Sequence, residues 1–563
     1  MSRRRVSDFE PCFKSERGGA GGMAATIKNP SFFFQRVLIN GWLCKACIGF
    51  CSSDMERWME ARDFNRRGGA IVCAVALLMC LAVSVFSPLV DPSEGRYAGT
   101  ARRMAETGDY VTPMIIVDGD WVPYLGKPPF FFWMNAVSIE FFGANVFAVR
   151  FPNVVLSVLF VFGVFGVFRR YRGSETAWLA AVATATTGLF FIVANTVLAD
   201  VALTAFSMGA LFAYHAFLEE ESPRGVKVAS FLVFVLLGLG FLVKGPVVLV
   251  LFGLPVFLWT LLNDKWATLK RHAWFSGCAV FLAITVPWFY FAAKVHPDFL
   301  RYFFVNENFL RFVSSGYGDR YGTGHEYPHG MSLVFFLAGA QPWLIILLIS
   351  AVYAAFKSGA GKRWRRFREL LGASAKDDRG SVDLFFLGFI SIALFWCLAK
   401  QLHFYYLLPA MPPFAAWCAG VFKRHSIGLK SLAPWAWTAL AVYAVAAVSV
   451  PLVSRSKGRT TDDVSRVIAS SNDGVIPDGA VVFLGKTPYS AYFYLGDAVE
   501  LHTKETFASS LSRGARVYVL KAKDIDKLPA GWRSGYKVVS RIGAWIVLKR
   551  DGGHGGAVAF DLP

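Results

Sequence analysis

This chain reads as a polytopic α-helical membrane protein that carries a small α/β domain at its C-terminus. The first reason is composition: of 563 residues, 55% are hydrophobic, 16% aromatic and only 17% charged, more apolar surface than a soluble domain can hide. The second is spacing. Apolar runs of ~20 residues, the length that crosses roughly 30 Å of hydrocarbon, recur about eleven times. They lie near 70–90, 147–168, 175–193, 200–218, 226–243, 245–263, 273–293, 331–353, 382–399, 403–421 and 433–451. The third is a change of texture from Leu452 onward. There VVFLGKTP, RVYVLKA and YKVVSRIGAWIVLKR read as strands, with DDVSRVIASS and TKETFASSLSRG as helices.

The formal charge of +19 is concentrated in three turns: Arg169 to Gly173, Lys357 to Arg368, and Lys423 to His425. Lys and Arg collect on the cytoplasmic side of membrane proteins, so these turns set orientation and meet anionic lipid; nucleic acid is not needed to explain them. Counting spans from them places everything after Pro451 outside. The predicted layout is a cytoplasmic segment 1–69, a membrane domain 70–451 with outer loops 91–146 and 294–330, and an outer α/β domain 452–563. Met55 is the cleaner start for such a protein, so the first residues read as an over-long reading of the gene. No cleavable signal is expected, because an acidic and aromatic loop follows the first span in place of a small-residue processing site. Cys44, Cys47 and Cys51 offer three thiols without a fourth ligand, too few for a structural zinc. The tail holds no cysteine, so disulfides do not brace it.

Charge and aromatics gather at the outer ends of the spans, where chemistry is expected. DPSEGRYAGTARRMAETG predicts a helix with proline near its start and Gly108 at its end. It brings Asp91, Glu94, Arg96 and Tyr97 within two turns; acids there also suit a helix dipole. Downstream, Tyr124 precedes Lys127, which Pro128 and Pro129 hold at fixed height with its ammonium free for a phosphate. Asp200 and Lys244 fall at the same face, as an ion pair or as snorkelling ends. The loop His296 to Met331 presents Glu307, Asn308, Arg311, His325 and His329 among aromatics; Arg311 suits a phosphate oxygen pair. HEYPH gives no helical histidine pair, because Pro328 interrupts it. His403, Tyr405 and Tyr406 stand at the last outer boundary, where tyrosine belts are ordinary.

DPSEGRY, YLGKPPFFFW, LADVALT, LVKGP, HPDFLRYFFVNENFLRF with HEYP, and FYYLLPAMPP resemble, in that order between about Ala70 and Pro451, a bacterial superfamily. It comprises the protein O-mannosyltransferases and the lipid A aminoarabinose transferases. The resemblance implies a C-type glycosyltransferase fold in the bacterial inner membrane, an undecaprenyl-phosphate sugar as donor, and a periplasmic acceptor: lipid A, another glycan or a protein. It implies Glu94 or Asp91 as base, with Asp200 orienting a lysine or the sugar. Lys127, Lys244, Arg311 and Arg96 would bind the donor phosphate, and Tyr97, Tyr124, His325 and Tyr406 the substrate. Two departures stand out. Ser93-Glu94 replaces the Asp-Glu pair that often precedes Arg-Tyr. Gly126 and Asn308 stand where the aminoarabinose branch has Glu-Lys-Pro and Glu-His, so both metal-ligand positions of that branch are lost and no metal or other cofactor is firmly implied. The mechanism implied is a single inverting displacement, the base taking the acceptor's proton while cations receive the departing phosphate. A lipid-linked-sugar flippase would instead show charge at mid-span and broken helices, and an inactive relative would explain the two lost motif residues.

Overall fold

The computed structural model describes residues 64–357, 381–470, 481–484, 487–502, 517–528 and 536–550. The chain divides into a unit Met1–Arg62 and a unit Asp63–Pro563; the elements described all belong to the second. The cysteine cluster, Met55, most of the Lys357 to Arg368 turn and the TKETFASSLSRG helix lie outside the described residues.

Six helices are long and apolar enough to span a bilayer: Arg67–Phe86, Val146–Tyr171, Ala199–Glu219, Pro223–Lys244, Trp274–Val295 and Leu429–Ser456. Two further pairs are each bent at a break, Ser174–Thr186 with Gly188–Ala194 by 62° and Met331–Gly339 with Trp343–Tyr353 by 84°, which raises the number to eight if each pair is one span. Other apolar runs form shorter helices. Val247–Leu262 and Leu384–Cys397, at 1.5 Å per residue, fall short of the ~30 Å of hydrocarbon. The expected span 403–421 divides into a 3-10 turn Phe404–Ala410 and a helix Met411–Arg424, since Pro409, Pro412 and Pro413 cannot continue an α-helical ladder through its first half. The first span starts a few residues before the expected 70 and stops at Phe86, ahead of Ser87-Pro88. The last helix runs on to Ser456, past Pro451.

Between the first two long helices lies a segment of shorter elements. Helix α1, Ser93–Thr107, ends at Gly108 in a left-handed conformation (φ 68°) whose N–H bonds the Met104 carbonyl, the cap that the sequence predicts. Strands β1, Met114–Val117, and β2, Asp120–Pro123, follow as an antiparallel hairpin. Asp118 and Gly119 turn it, both with positive φ, as a two-residue hairpin loop requires. Helix α2, Phe130–Phe142, then starts directly after Pro128 and Pro129.

Past Ser456, helix α3, Asp462–Ser470, leads into β3, Val481–Leu484; helix α4, Tyr489–Leu495; and strands β4, Val499–His502, β5, Val517–Lys521, β6, Tyr536–Ile542, and β7, Trp545–Arg550. The sheet order is β4-β3-β5-β7-β6, parallel among the first three and antiparallel for the last two. Val481, Val482 and Phe483 are all buried, so apolar groups cover both faces of β3. On one face Ile116 and Trp121 of the β1–β2 hairpin join the core of this sheet. The hairpin segment and the C-terminal domain are thereby fused through a shared core.

Candidate active site

Asp91 sits just ahead of α1, where it meets the C-terminal domain. Its backbone N–H donates to the Arg459 carbonyl at 2.8 Å. One carboxylate oxygen accepts the backbone N–H of Ser490 at 2.8 Å, and the other accepts the Ser490 hydroxyl at 2.5 Å. Burial pushes the Asp91 carboxyl up to about 7; the Ser490 hydrogen bonds oppose that rise and the nearby Glu94 charge adds to it. The close approach depends on Gly95, where an added Cβ would lie 2.5 Å from the Ser490 nitrogen.

Glu94 points elsewhere. Its Oε1 accepts Arg150 Nε at 3.1 Å and the Val197 N–H at 2.9 Å, and its Oε2 accepts Arg150 Nη2 at 2.9 Å and the Val90 N–H at 3.0 Å. Arg150 also holds the carbonyls of Ser87 and Pro88. All four acceptor positions of the carboxylate are filled by fixed donors. The pair joins three segments at the floor of a small apolar cavity of about 160 Å³.

Opposite Asp91 stands a cluster around Glu307, which lies on a π-helical turn Tyr302–Leu310. Lys127 Nζ is 2.5 Å from Glu307 Oε1, and Arg311 Nη1 is 2.8 Å from Glu307 Oε2. Arg311 Nε donates to Gln401 at 2.8 Å. Burial works against both Lys127 and Glu307 as ions, yet their mutual attraction, with Arg311 beside Glu307, holds the carboxyl below its usual range and the ammonium above its own. A Cβ at Gly126 would come within 3.3 Å of the Glu307 carboxylate, so the missing side chain leaves the space that Glu307 enters.

Asp200, in the first turn of its helix, bonds Lys244, the last residue of the next, at 2.6 Å. Lys244 Nζ also lies 4.2 Å from the centre of the Tyr406 ring.

A cavity of about 670 Å³ collects these elements. Its wall includes Asp91, Arg96, Tyr97, Tyr124, Lys127, Arg311, His325 and Tyr406, together with Glu307, Tyr321, His403 and Tyr405. The C-terminal side adds Arg459, Thr487, Tyr489 and Lys521. Of the expected site residues, Glu94, Asp200 and Lys244 are outside this wall; Lys244 instead lines an adjoining cavity of about 240 Å³ with Lys127, Glu307, Arg311 and Tyr406. The Arg96 guanidinium lies 4.8 Å over the Tyr489 ring, and its buried Nε has no hydrogen-bond partner among the described residues. His325 and His403 meet edge to face at 5.0 Å. Burial, followed by the charges of His325 and nearby lysine and arginine side chains, depresses the His403 pKa to about 3, which favours the neutral ring.

The residues do not fit a bound metal. Gly126 offers no ligand, Asn308 donates its amide to the Phe303 carbonyl at 2.8 Å, and both Glu307 oxygens are taken by cations. Among the described residues no group of three His, Cys, Asp or Glu side chains could hold an ion.

Residues 126–291 match the family described as dolichyl-phosphate-mannose-protein mannosyltransferase. An undecaprenyl phosphate-alpha-4-amino-4-deoxy-L-arabinose arabinosyl transferase of Enterobacter sp. (strain 638) is 28% identical over 67% of this chain and 63% of its own length. The enzyme of that name from Erwinia tasmaniensis is 30% identical over 65% and 61%. Over these stretches the chain is similar to protein mannosyltransferases and to aminoarabinose transferases. It spans less than two thirds of the length of these curated relatives. The crystal structure of ArnT from Cupriavidus metallidurans bound to undecaprenyl phosphate is similar in fold, with TM-score 0.69 at 19% identity, covering 85% of this chain and 97% of that one. With six helices among the described residues long and apolar enough to span a bilayer, the chain has the fold of a multi-pass membrane protein.

Sequence reasoning missed the contributions of Arg150 and Ser490. An arginine one turn inside an apolar span is costly unless paired, which is the available signal for Arg150. Ser490 carries none, since nothing in YSAYFYL marks a serine that reaches an aspartate 399 residues away.

Proposed function

We propose that this protein transfers a sugar from an undecaprenyl-phosphate donor to an acceptor lipid, glycan or protein at the periplasmic face of the bacterial inner membrane, with inversion. One observation carries the reading: a single cavity presents a carboxylate whose pKa is lifted to about 7 and a wall of half-buried cations, Lys127 and Arg311, with Arg96 beside the acid. A base poised near neutrality suits proton removal from an acceptor oxygen. Fixed cations suit the charge that develops on a leaving phosphate.

In this mechanism the acceptor oxygen attacks the anomeric carbon from the side opposite the phosphate, and its proton passes to Asp91. The bond from the anomeric carbon to the phosphate oxygen breaks, and the electron pair leaves with the polyprenyl phosphate toward Lys127 and Arg311. Glu307 holds those two cations in place, Asp200 holds Lys244, and Glu94 fixes the loop that carries Asp91. The tyrosines offer faces and hydroxyls for the sugar.

The test is transfer of label from a panel of undecaprenyl-phosphate sugars by purified protein in lipid, alongside Asp91→Asn and Lys127→Ala. Transfer by the native chain and its loss in both variants support the reading. Passage of labelled polyprenyl phosphate across the bilayer with no donor consumed replaces it with a flippase.

A further inference from the structure

We infer that Ser490, a residue of the C-terminal domain, positions the Asp91 carboxylate for proton transfer, with the Thr461 hydroxyl behind it supporting its donation to the carboxylate. The inference rests on Asp91 being the base of the proposed transfer.

Ser490 is fully buried, at 0% exposure, and grips both oxygens of Asp91, through its N–H on one and its hydroxyl on the other. This fixes the plane of the carboxylate and leaves the remaining lone pairs for the cavity. Behind Ser490, the Thr461 hydroxyl lies 3.0 Å from the Ser490 hydroxyl, and either can donate. Thr461 is also at 0% exposure, so the chain of hydroxyls has no bulk water to draw on.

A serine hydroxyl has one hydrogen and can accept as well as donate. With Asp91 ionised, Ser490 donates to it and accepts from Thr461. The acceptor's proton arrives on a cavity-facing lone pair of Asp91, so Ser490 goes on donating to the carboxyl, more weakly once its charge is gone.

The charged and titratable groups around Asp91 come from several segments. Glu94, on the same loop, is spent on Arg150; Arg96 lies against Tyr489; and Arg459 accepts the Asp91 N–H through its backbone carbonyl. The strongest hydrogen bonds that favour the ionised carboxyl come from Ser490, with the Tyr489 backbone adding less. Losing the Ser490 hydroxyl removes a bond that favours the charged form, so the carboxyl should titrate higher.

The experiment measures kcat and KM for sugar transfer against pH in the full-length protein, for Ser490→Ala, Ser490→Thr, Thr461→Val and Asp91→Asn. Ser490→Ala is expected to shift the acid limb of kcat up by about one pH unit, the size expected for a hydrogen bond to a charge, with donor KM unchanged. Ser490→Thr keeps the hydroxyl and should keep the native limb. Thr461→Val leaves the Asp91–Ser490 contact standing and should move the limb the same way by less, which gives a reading even if Ser490→Ala does not fold. An unmoved limb in Ser490→Ala and Thr461→Val, with Asp91→Asn inactive, overturns the positioning role and leaves the base assignment intact. Full activity in Asp91→Asn overturns the base assignment itself.

Discussion

Glu94 and Arg150 form a two-point ion pair buried to 7% and 3% side-chain exposure, and each oxygen of the carboxylate accepts two hydrogen bonds from fixed donors. Removing one partner strands the other as an unpaired buried charge, a loss of about 3–5 kcal/mol. Glu94→Gln and Arg150→Met should each lower stability by an amount of this order, and the double variant should lose less than their sum. Unfolding of the four proteins in one detergent checks it. A stable Glu94→Gln protein that has lost transfer would return Glu94 to the chemistry.

Lys127 carries a different expectation, because it is held against Glu307 in the cavity wall. Lys127→Ala should reduce kcat/KM by roughly 10²- to 10³-fold, as loss of one aimed charge does in other enzymes. The fold should stand, since Arg311 still pairs Glu307. Single-turnover kinetics with a circular dichroism control would reveal any departure.

Asp91 links activity to pH and stability with opposite signs. Its folded-state pKa is raised from 3.8 to about 7, so transfer that needs the ionised form should fall as pH drops below about 7. Stability runs the other way. The folded state holds the proton more tightly than the unfolded chain, so this contribution is fully present below 3.8 and is lost as pH rises through about 7. Asp91→Asn should therefore be inactive yet melt higher than the native protein at pH 8, by on the order of 2–4 °C. Equal melting temperatures at pH 8 would refute the strained-carboxylate account.

Gly126 gives a steric prediction. Its side of the backbone faces Tyr124 at 3.2 Å and the Glu307 carboxylate at 3.3 Å from an added Cβ, and Glu307 cannot yield while Lys127 and Arg311 hold it. Gly126→Ala should cost ~10-fold in kcat/KM and about 1–3 kcal/mol of stability, since a single extra methyl overpacks the site. Unchanged kinetics would mean that the Lys127–Glu307–Arg311 geometry tolerates displacement.

Features that depend on local pattern are legible in the sequence. Apolar length marks the long helices, and Gly108 marks the end of α1. The ion pair of Asp200 with Lys244 follows from two charges at one membrane face. The hairpin at Asp118-Gly119 carries a turn signal of its own, but its strands are only four residues each, too short for alternation to stand out among the surrounding charges. What stays hidden depends on distance along the chain. The roles of Glu94 and Asp91 cannot be told apart from their spacing, since the difference lies in Arg150 and Ser490, 56 and 399 residues away. Helix α4 and strand β4 are hidden too, because YSAYFYL and VELH are too short to show a period.

The shared core of the hairpin and the C-terminal sheet sets an order of events during synthesis. Ile116 and Trp121 leave the ribosome early, while β5 and β7, which complete their cover, are among the last strands made. Until then the segment bearing Asp91 lacks the serine that holds it. A chain cut short after Ser456 would keep its apolar helices but present a bare hairpin and a carboxylate without the serine that holds it.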